Sequence, residues 1–247
     1  MKISVITVCY NSVLTLERTI QSVISQHYQD IEYIIIDGCS TDGTLDIINK
    51  YQNVINKYLS EPDGGVYHAM NKGIALCTGD IVAILNSDDI FADQDVLTQV
   101  SAAFKASEAD CVYGDLQYIQ ANKVLRHWTS GKYNKNNFLW GWMPPHPAFF
   151  CKRSLYNNHG LFNTYFRLSA DYELMLRFLY KGGASAYYIS MVLVKMQTGG
   201  MSNKDVKNRI LAYHEDKQAW SINELKPYFF TILLKKLIKL KQFFIFS

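Results

Sequence analysis

Short apolar runs and helical periods alternate along the first 115 residues. Ile3 to Cys9 is rich in β-branched residues, and Ile34, Ile35 and Ile36 make a second run. A weaker run spans Val54 to Leu59, a fourth Ile81 to Leu85, and a fifth Cys111 to Tyr113. None alternates strictly between apolar and polar positions, which suits parallel strands covered on both faces. Between the runs, apolar residues recur at helical spacing. Leu16, Ile20, Val23 and Ile24 share one face, as do Val66, Met70, Ile74 and Cys77, and then Val96, Val100, Ala103 and Phe104. Strand and helix in turn predict an α/β, doubly wound sheet that takes its ligands at the carboxyl ends of the strands.

After residue 115 the pattern loosens. Residues 128–150 are rich in Trp, Asn, Pro and Gly and read as loops around short elements. A helix is predicted over Ala170–Tyr180, a strand over Ala186–Met196 and a helix over Asp205–Asn223. No internal repeat or low-complexity linker occurs. The expected organisation is one catalytic domain, 1–223, with halves 1–115 and 116–223, followed by a tail over 224–247.

Composition narrows the class. The 247 residues are 49% hydrophobic and 19% charged, enough for a packed core. A net charge of +3 is too small to point to nucleic acid. Five cysteines at 9, 39, 77, 111 and 151 are odd in number and widely spaced, which reads as reduced thiols of a cytoplasmic protein. The start, "MKISVITVCYN", reads as a first strand and not as a signal peptide, and no stretch of 18 apolar residues predicts a spanning helix.

Polar clusters follow four of the strands: "TVCYNS", "IDGCSTDGT", "SEPDGGVYHAMNKG" and "NSDD". In a parallel sheet they would meet at one rim. Each also has a plain structural explanation. Ser40, Thr41 or Asp42 can cap the helix starting near Thr44, while Asp37 at the strand tip can accept hydrogen bonds from a base or ribose. Pro62-Asp63-Gly64 is a frequent turn. Lys72 is either solvated surface or a cation near a phosphate rim. In Asn86-Ser87-Asp88-Asp89, a strand-tip carboxylate can hold Mg²⁺ or Mn²⁺, with substrate phosphates and water completing the shell. The rival role, capping the next helix, falls more naturally to Asp93 and Asp95.

The ordered set resembles the family 2 inverting glycosyltransferases of GT-A fold. It runs "ISVITVCYNS", "IEYIIIDGCSTDGT", "SEPDGGVYHAMNKGI", "GDIVAILNSDDIF", "HPAFFCKRSL", "SADYELMLR" and "GGMS", over roughly residues 2–203. The nearest kind are bacterial enzymes of capsule, exopolysaccharide or O-antigen synthesis. The resemblance implies that Thr7, Tyr10 and Asn11 border the nucleotide, that Asp37 contacts the base, and that Asp63 and Gly64 approach the nucleoside and sugar. It implies Asp88 as ligand of a divalent metal, Mn or Mg, with Asn86 and Ser87 beside the ribose or donor. The family usually has Asp where this chain has Asn86; an amide keeps the hydrogen bonding and loses the charge. Asp171 matches the catalytic base, although it also begins a predicted helix and can cap it. His146, between prolines, would wall the acceptor side. "QTGGMS" would form a loop closing over the donor. The Gln-x-x-Arg-Trp signature of processive members is missing, so transfer of a single sugar is expected.

A nucleotidyltransferase would show a Gly-rich basic loop near the start, which "TVCYNS" lacks; a nucleotide-sugar-binding module without catalysis is the other alternative. In the tail, Lys235, Lys236 and Lys239 fall on one helical arc, largely opposite Leu233, Leu237, Ile238, Leu240 and Phe244. Such a basic amphipathic helix can lie on an anionic membrane. The expectation is peripheral contact at the cytoplasmic face of the inner membrane, beside a glycan or lipid-linked acceptor. Packing on its own domain is the rival.

Overall fold

A computed structural model describes residues 1–121, 123–197 and 206–241. In chain order the elements begin β1 (Ile3–Cys9), α1 (Leu16–Ile24), β2 (Ile31–Asp37), α2 (Thr44–Lys50), β3 (Lys57–Ser60), α3 (Val66–Leu76) and β4 (Ile81–Ile84). β5 (Asp89–Phe91), α4 (Val96–Ser107) and the hairpin β6 (Cys111–Gln120) and β7 (Lys123–Trp128) follow. The second half has β8 (Phe149–Lys152), α5 (Arg153–His159), α6 (Ala170–Met175) continued by a wider π-turn over Leu176–Lys181, β9 (Ala186–Gln197), α7 (Val206–Ile222) and α8 (Thr231–Lys241).

The strands form one mixed sheet in the order β3-β2-β1-β4-β8-β6-β9-β5, with β7 on β6. β3, β2, β1 and β4 run parallel, and their register sets Cys9 level with Asp37 and Asp37 level with Ser60. Both faces are buried. Ile6, Val8, Ile34 and Ile36 pack under α3 and α6, while Ile3, Val5, Cys9 and Ile35 pack under α1 and α4. Successive residues of a strand point to opposite faces, so burial of both faces removes the alternation from the sequence. A Cβ at Gly73 would run into Ile6, so this glycine seats α3 close on β1.

The strands and helices predicted through residue 113 are present. Three strands, β5, β7 and β8, leave no clear pattern in the sequence. β5 has three residues and β8 four, too few to carry a period. The β6–β7 hairpin extends well beyond the predicted fifth strand, through residues whose mixed polarity reflects partial exposure.

The tail differs from its predicted arrangement. Lys235 points inward, its Nζ 2.6 Å from Asp216 Oδ1 on α7 and 3.5 Å from the Tyr172 ring centroid. Asp216 is itself buried and needs a cation, and that need overrides the helical arc of lysines. α8 also docks on the turn Lys135–Trp140: Thr231 Oγ1 donates to Leu139 O at 2.6 Å. Gly141 has φ +83°, and a Cβ there would strike the Lys235 backbone. Lys235→Ala leaves Asp216 charged and unpaired; a loss of about 3 kcal/mol in urea unfolding is expected, largely restored by Lys235→Met with Asp216→Leu.

Candidate active site

The parallel register delivers the polar clusters to one rim, but their side chains take different parts. The Tyr10 ring is 66% exposed. A Cβ built on Gly38 would lie 3.2 Å from Tyr10 Cδ2 and 3.1 Å from Asp63 Oδ2, so the ring and the carboxylate flank a bare backbone. That leaves an aromatic face and an acceptor side by side, chemistry suited to a base or ribose. Asp63 Oδ1 also accepts from the Gly65 N–H at 2.8 Å, which shapes the turn into α3. A Cβ on Gly64 would press on the His68 imidazole, and Gly65 has φ +118°, so the turn needs glycine at 65.

Asn11 adopts φ +49°, a left-handed conformation that Asn tolerates. Its Oδ1 accepts from Thr41 N at 3.0 Å and its own N–H donates to Ser40 Oγ at 2.8 Å, tying the first loop to the second. Ser12 and Ser87 share a hydroxyl hydrogen bond at 2.8 Å, tying the first loop to the fourth. Asp42 accepts from Thr44 N and Val13 N, both at 3.0 Å, and is the residue that caps α2. The Thr44 hydroxyl, which donates to it, is the main cause of its lowered pKa.

Three predicted contacts are differently engaged. Thr7 is fully buried, its hydroxyl 3.1 Å from Tyr33 OH, so it faces the core and not the rim. Asp37 lies at the strand tip but is also buried. Its carboxylate accepts from the Ser40 N–H and hydroxyl, from Ser60 Oγ at 2.6 Å and from Cys9 Sγ at 3.5 Å. It braces three strand ends, and a base could reach it only by displacing a hydroxyl. Lys72 is drawn to Glu61 at 2.8 Å and to Pro62 O at 3.0 Å, so it steadies the third loop and offers no free charge to phosphate.

At the tip of β4, Asn86 Nδ2 donates to Asp89 Oδ2 at 3.1 Å, while Asn86 Oδ1 and Asp89 Oδ1 are buried without a partner. Burial pushes the Asp88 carboxyl up, and burial together with Asp88 pushes Asp89 much further. Orphaned hard oxygens beside a desolvated carboxylate fit a divalent cation. Among the described residues no group of three or more His, Cys, Asp or Glu side chains could hold one. The donor set is therefore sparse and suits a cation that arrives with a diphosphate.

Across the rim stands Asp171, at the start of α6. Tyr67 OH, on α3, donates to its Oδ1 at 3.4 Å. Tyr67 stacks on Phe162 with centroids 5.6 Å apart, and His146 meets Phe162 edge-on at 5.7 Å. Burial lowers the His146 pKa against the pull of Asp171, so the imidazole favours its neutral form. The side chain of Asp171 does not cap its helix. Glu215 of α7 holds the loop ahead of that helix, accepting from the N–H groups of Arg167, Leu168 and Ser169 at 2.8 to 2.9 Å. Asn71 bridges the halves by a paired exchange with the Phe162 backbone, both bonds at 2.9 Å. Tyr67, Ser12, Asn71 and Glu215 do not stand out in the sequence. Tyr67 and Asn71 lie inside "VYHAMNKG", but only the fold shows what they face. Of "QTGGMS", residues 198–202 lie outside the described residues.

The mixed, mostly parallel sheet with polar strand tips is shared with solved glycosyltransferases of GT-A fold. Over 100% of its length the chain superposes on 73% of Staphylococcus aureus TarS 1–349 with a TM-score of 0.72 at 19% identity. A TarS structure with UDP-GlcNAc gives the same score at 18% identity. The mannosyltransferase PcManGT of Pyrobaculum calidifontis, solved with GDP-Man and Mn²⁺, gives 0.67 at 19% identity over 94% of this chain and 68% of that one. The family model described as "Glycosyl transferase family 2" matches residues 4–171. A "PGL/p-HBAD biosynthesis glycosyltransferase" of Mycobacterium bovis is 32% identical over 213 residues, 84% of this chain and 82% of the relative. The chain belongs to glycosyl transferase family 2.

Glu215 fixes the loop that delivers Asp171, so Glu215→Ala frees three backbone donors. It is expected to cost about 2 kcal/mol of stability in chemical denaturation, with faster hydrogen exchange at residues 167–171.

Proposed function

We propose that the protein transfers one sugar from a UDP-sugar to a hydroxyl of a lipid-linked glycan, with inversion at the anomeric carbon, in surface-polysaccharide synthesis at the cytoplasmic face of the inner membrane. The observation that carries this reading is Asp171, held beside the donor rim by Tyr67 from the helix that opens at Asp63-Gly64-Gly65. Family membership supports sugar transfer. The ligands of the solved neighbours support a nucleotide-sugar donor, and the name of the mycobacterial relative supports a cell-surface glycan.

In this reading Tyr10 and Asp63 receive the nucleoside, and Asn86 and Ser87 approach the ribose and diphosphate. Asp88, with Asn86 Oδ1 nearby, would hold the divalent cation, Mn²⁺ or Mg²⁺, which supplies positive charge at the diphosphate. Asp171 accepts the acceptor hydroxyl's proton as that oxygen bonds to the anomeric carbon. The bond from that carbon to the phosphate oxygen breaks, and the nucleoside diphosphate leaves with the electron pair. Single displacement from the opposite face inverts the configuration. His146 and Phe162 form the acceptor wall.

A screen of nucleotide sugars with Mn²⁺ should identify the donor, and NMR of the product should show the opposite anomer; a retained anomer would refute the single displacement. Asp171→Asn should lower transfer by about a thousandfold while UDP binding stays within about twofold. Asp88→Ala should weaken UDP binding in Mn²⁺ about tenfold or more. Burial raises the pKa of Asp88, so proton and cation compete for the same carboxylate. Calorimetry should find Mn²⁺-dependent binding strongest above the raised pKa and weaker as pH falls through it.

A further inference from the structure

The inward turn of Lys235 has a consequence on the opposite side of α8. With Ile232 and Lys235 buried, Leu233 and Leu237 face outward, 56% and 46% exposed. Leu233 and Leu237, four apart, share one face of α8. Phe229, in the turn just ahead of the helix, is 99% exposed and extends the apolar surface. That surface continues onto the turn beneath, where Trp140 is 54% exposed and its ring lies 6.0 Å from Tyr228 and 5.4 Å from Phe230. Lys226 and Lys236 are exposed beside it. The orientation is not adjustable, because rotating α8 to hide the leucines would pull Lys235 away from buried Asp216.

We propose that this face, α8 with the Lys135–Trp140 turn, docks on an anionic lipid bilayer. Aromatic rings with one apolar and one polar edge settle at the headgroup level, and lysines flanking an apolar stripe meet acidic headgroups. No helix among the described residues is long and apolar enough to cross a membrane, so contact lies in the plane of the interface. A second copy of the chain suits the face less well. A two-fold pairing would bring four lysines, Lys226 and Lys236 of each copy, to one apolar seam. The surface deepens the proposed function: its purpose rests on that reading's lipid-linked acceptor, while the docking itself can be measured without any substrate. It also replaces the lysine arc expected from the sequence. The exposed leucines and aromatics insert, and only some of the lysines remain free to meet the headgroups.

The test is co-sedimentation of the full chain with vesicles of phosphatidylcholine alone or containing phosphatidylglycerol, run beside UDP binding and thermal unfolding. The wild type should bind the anionic vesicles, bind phosphatidylcholine weakly, and lose binding as salt rises. Phe229→Ser with Leu233→Ser should cut the bound fraction about tenfold. Lys226→Glu with Lys236→Glu should do so by charge alone, about tenfold at low salt. Both variants should keep wild-type Tm and UDP affinity, so a failure of docking and a failure of the donor site are separate results. Wild-type protein that ignores anionic vesicles, or either variant binding them as the wild type does, would overturn the proposal. So would a wild-type dimer that the Phe229 and Leu233 changes dissolve without altering vesicle binding.

Discussion

Two neighbouring carboxylates at the end of a buried strand cannot both remain charged and dry, and the surrounding structure is arranged around that constraint. Asp89 lies fully under the rim and favours its protonated form, leaving Asp88 as the carboxylate nearest solvent. The buried oxygens of Asn86 and Asp89 that lack partners mark where compensation must come from outside the chain. Parallel pairing of β1 with β2 and β4 then sets the loops after these strands side by side, tied by the Ser12–Ser87 hydrogen bond. Asn86 fits this account. As an amide it can hold Asp89 and still present an oxygen, at a lower electrostatic cost than a third carboxylate would carry.

The second half of the chain is coupled to that rim by a small number of polar contacts. Asn71 fixes α3 to Phe162, Tyr67 reaches Asp171, and Glu215 gathers the loop before it. Asp171 is thereby positioned by groups on α3 and α7, elements remote from it in sequence. Tyr67 follows directly on the loop that carries Asp63, so a donor that orders this loop would also bear on the group that contacts Asp171.

The first half of the fold was legible because buried parallel strands and amphipathic helices leave strong local patterns. β1 from Ile3 to Cys9 and α1 from Leu16 to Ile24 are cases in point. The extension of β6 past Tyr113, its partner β7 and the short β5 and β8 were not, because their identity comes from pairing with other strands. In the site, the ordered motifs name Asp63, Asn86, Asp88 and Asp171, whose roles belong to the proposed function. Thr7, Asp37 and Lys72 show the limit of such reading. Their residue types are right for ligand contact, but the fold spends them on Tyr33, on Ser40 and Ser60, and on Glu61. Lys235 shows the same limit in the tail, where a single buried partner, Asp216, turned the helix by more than its own hydrophobic pattern would.

The central claim is that the tip of β4 receives a cation together with a nucleoside diphosphate. Anomalous diffraction at the manganese edge, from crystals grown with UDP and Mn²⁺, addresses it directly. A single strong anomalous peak is predicted, bonded to Asp88 and to diphosphate oxygens, with the uridine against Tyr10 and Asp63. Diphosphate bound without a metal at Asp88, or a nucleotide seated away from this rim, would contradict it.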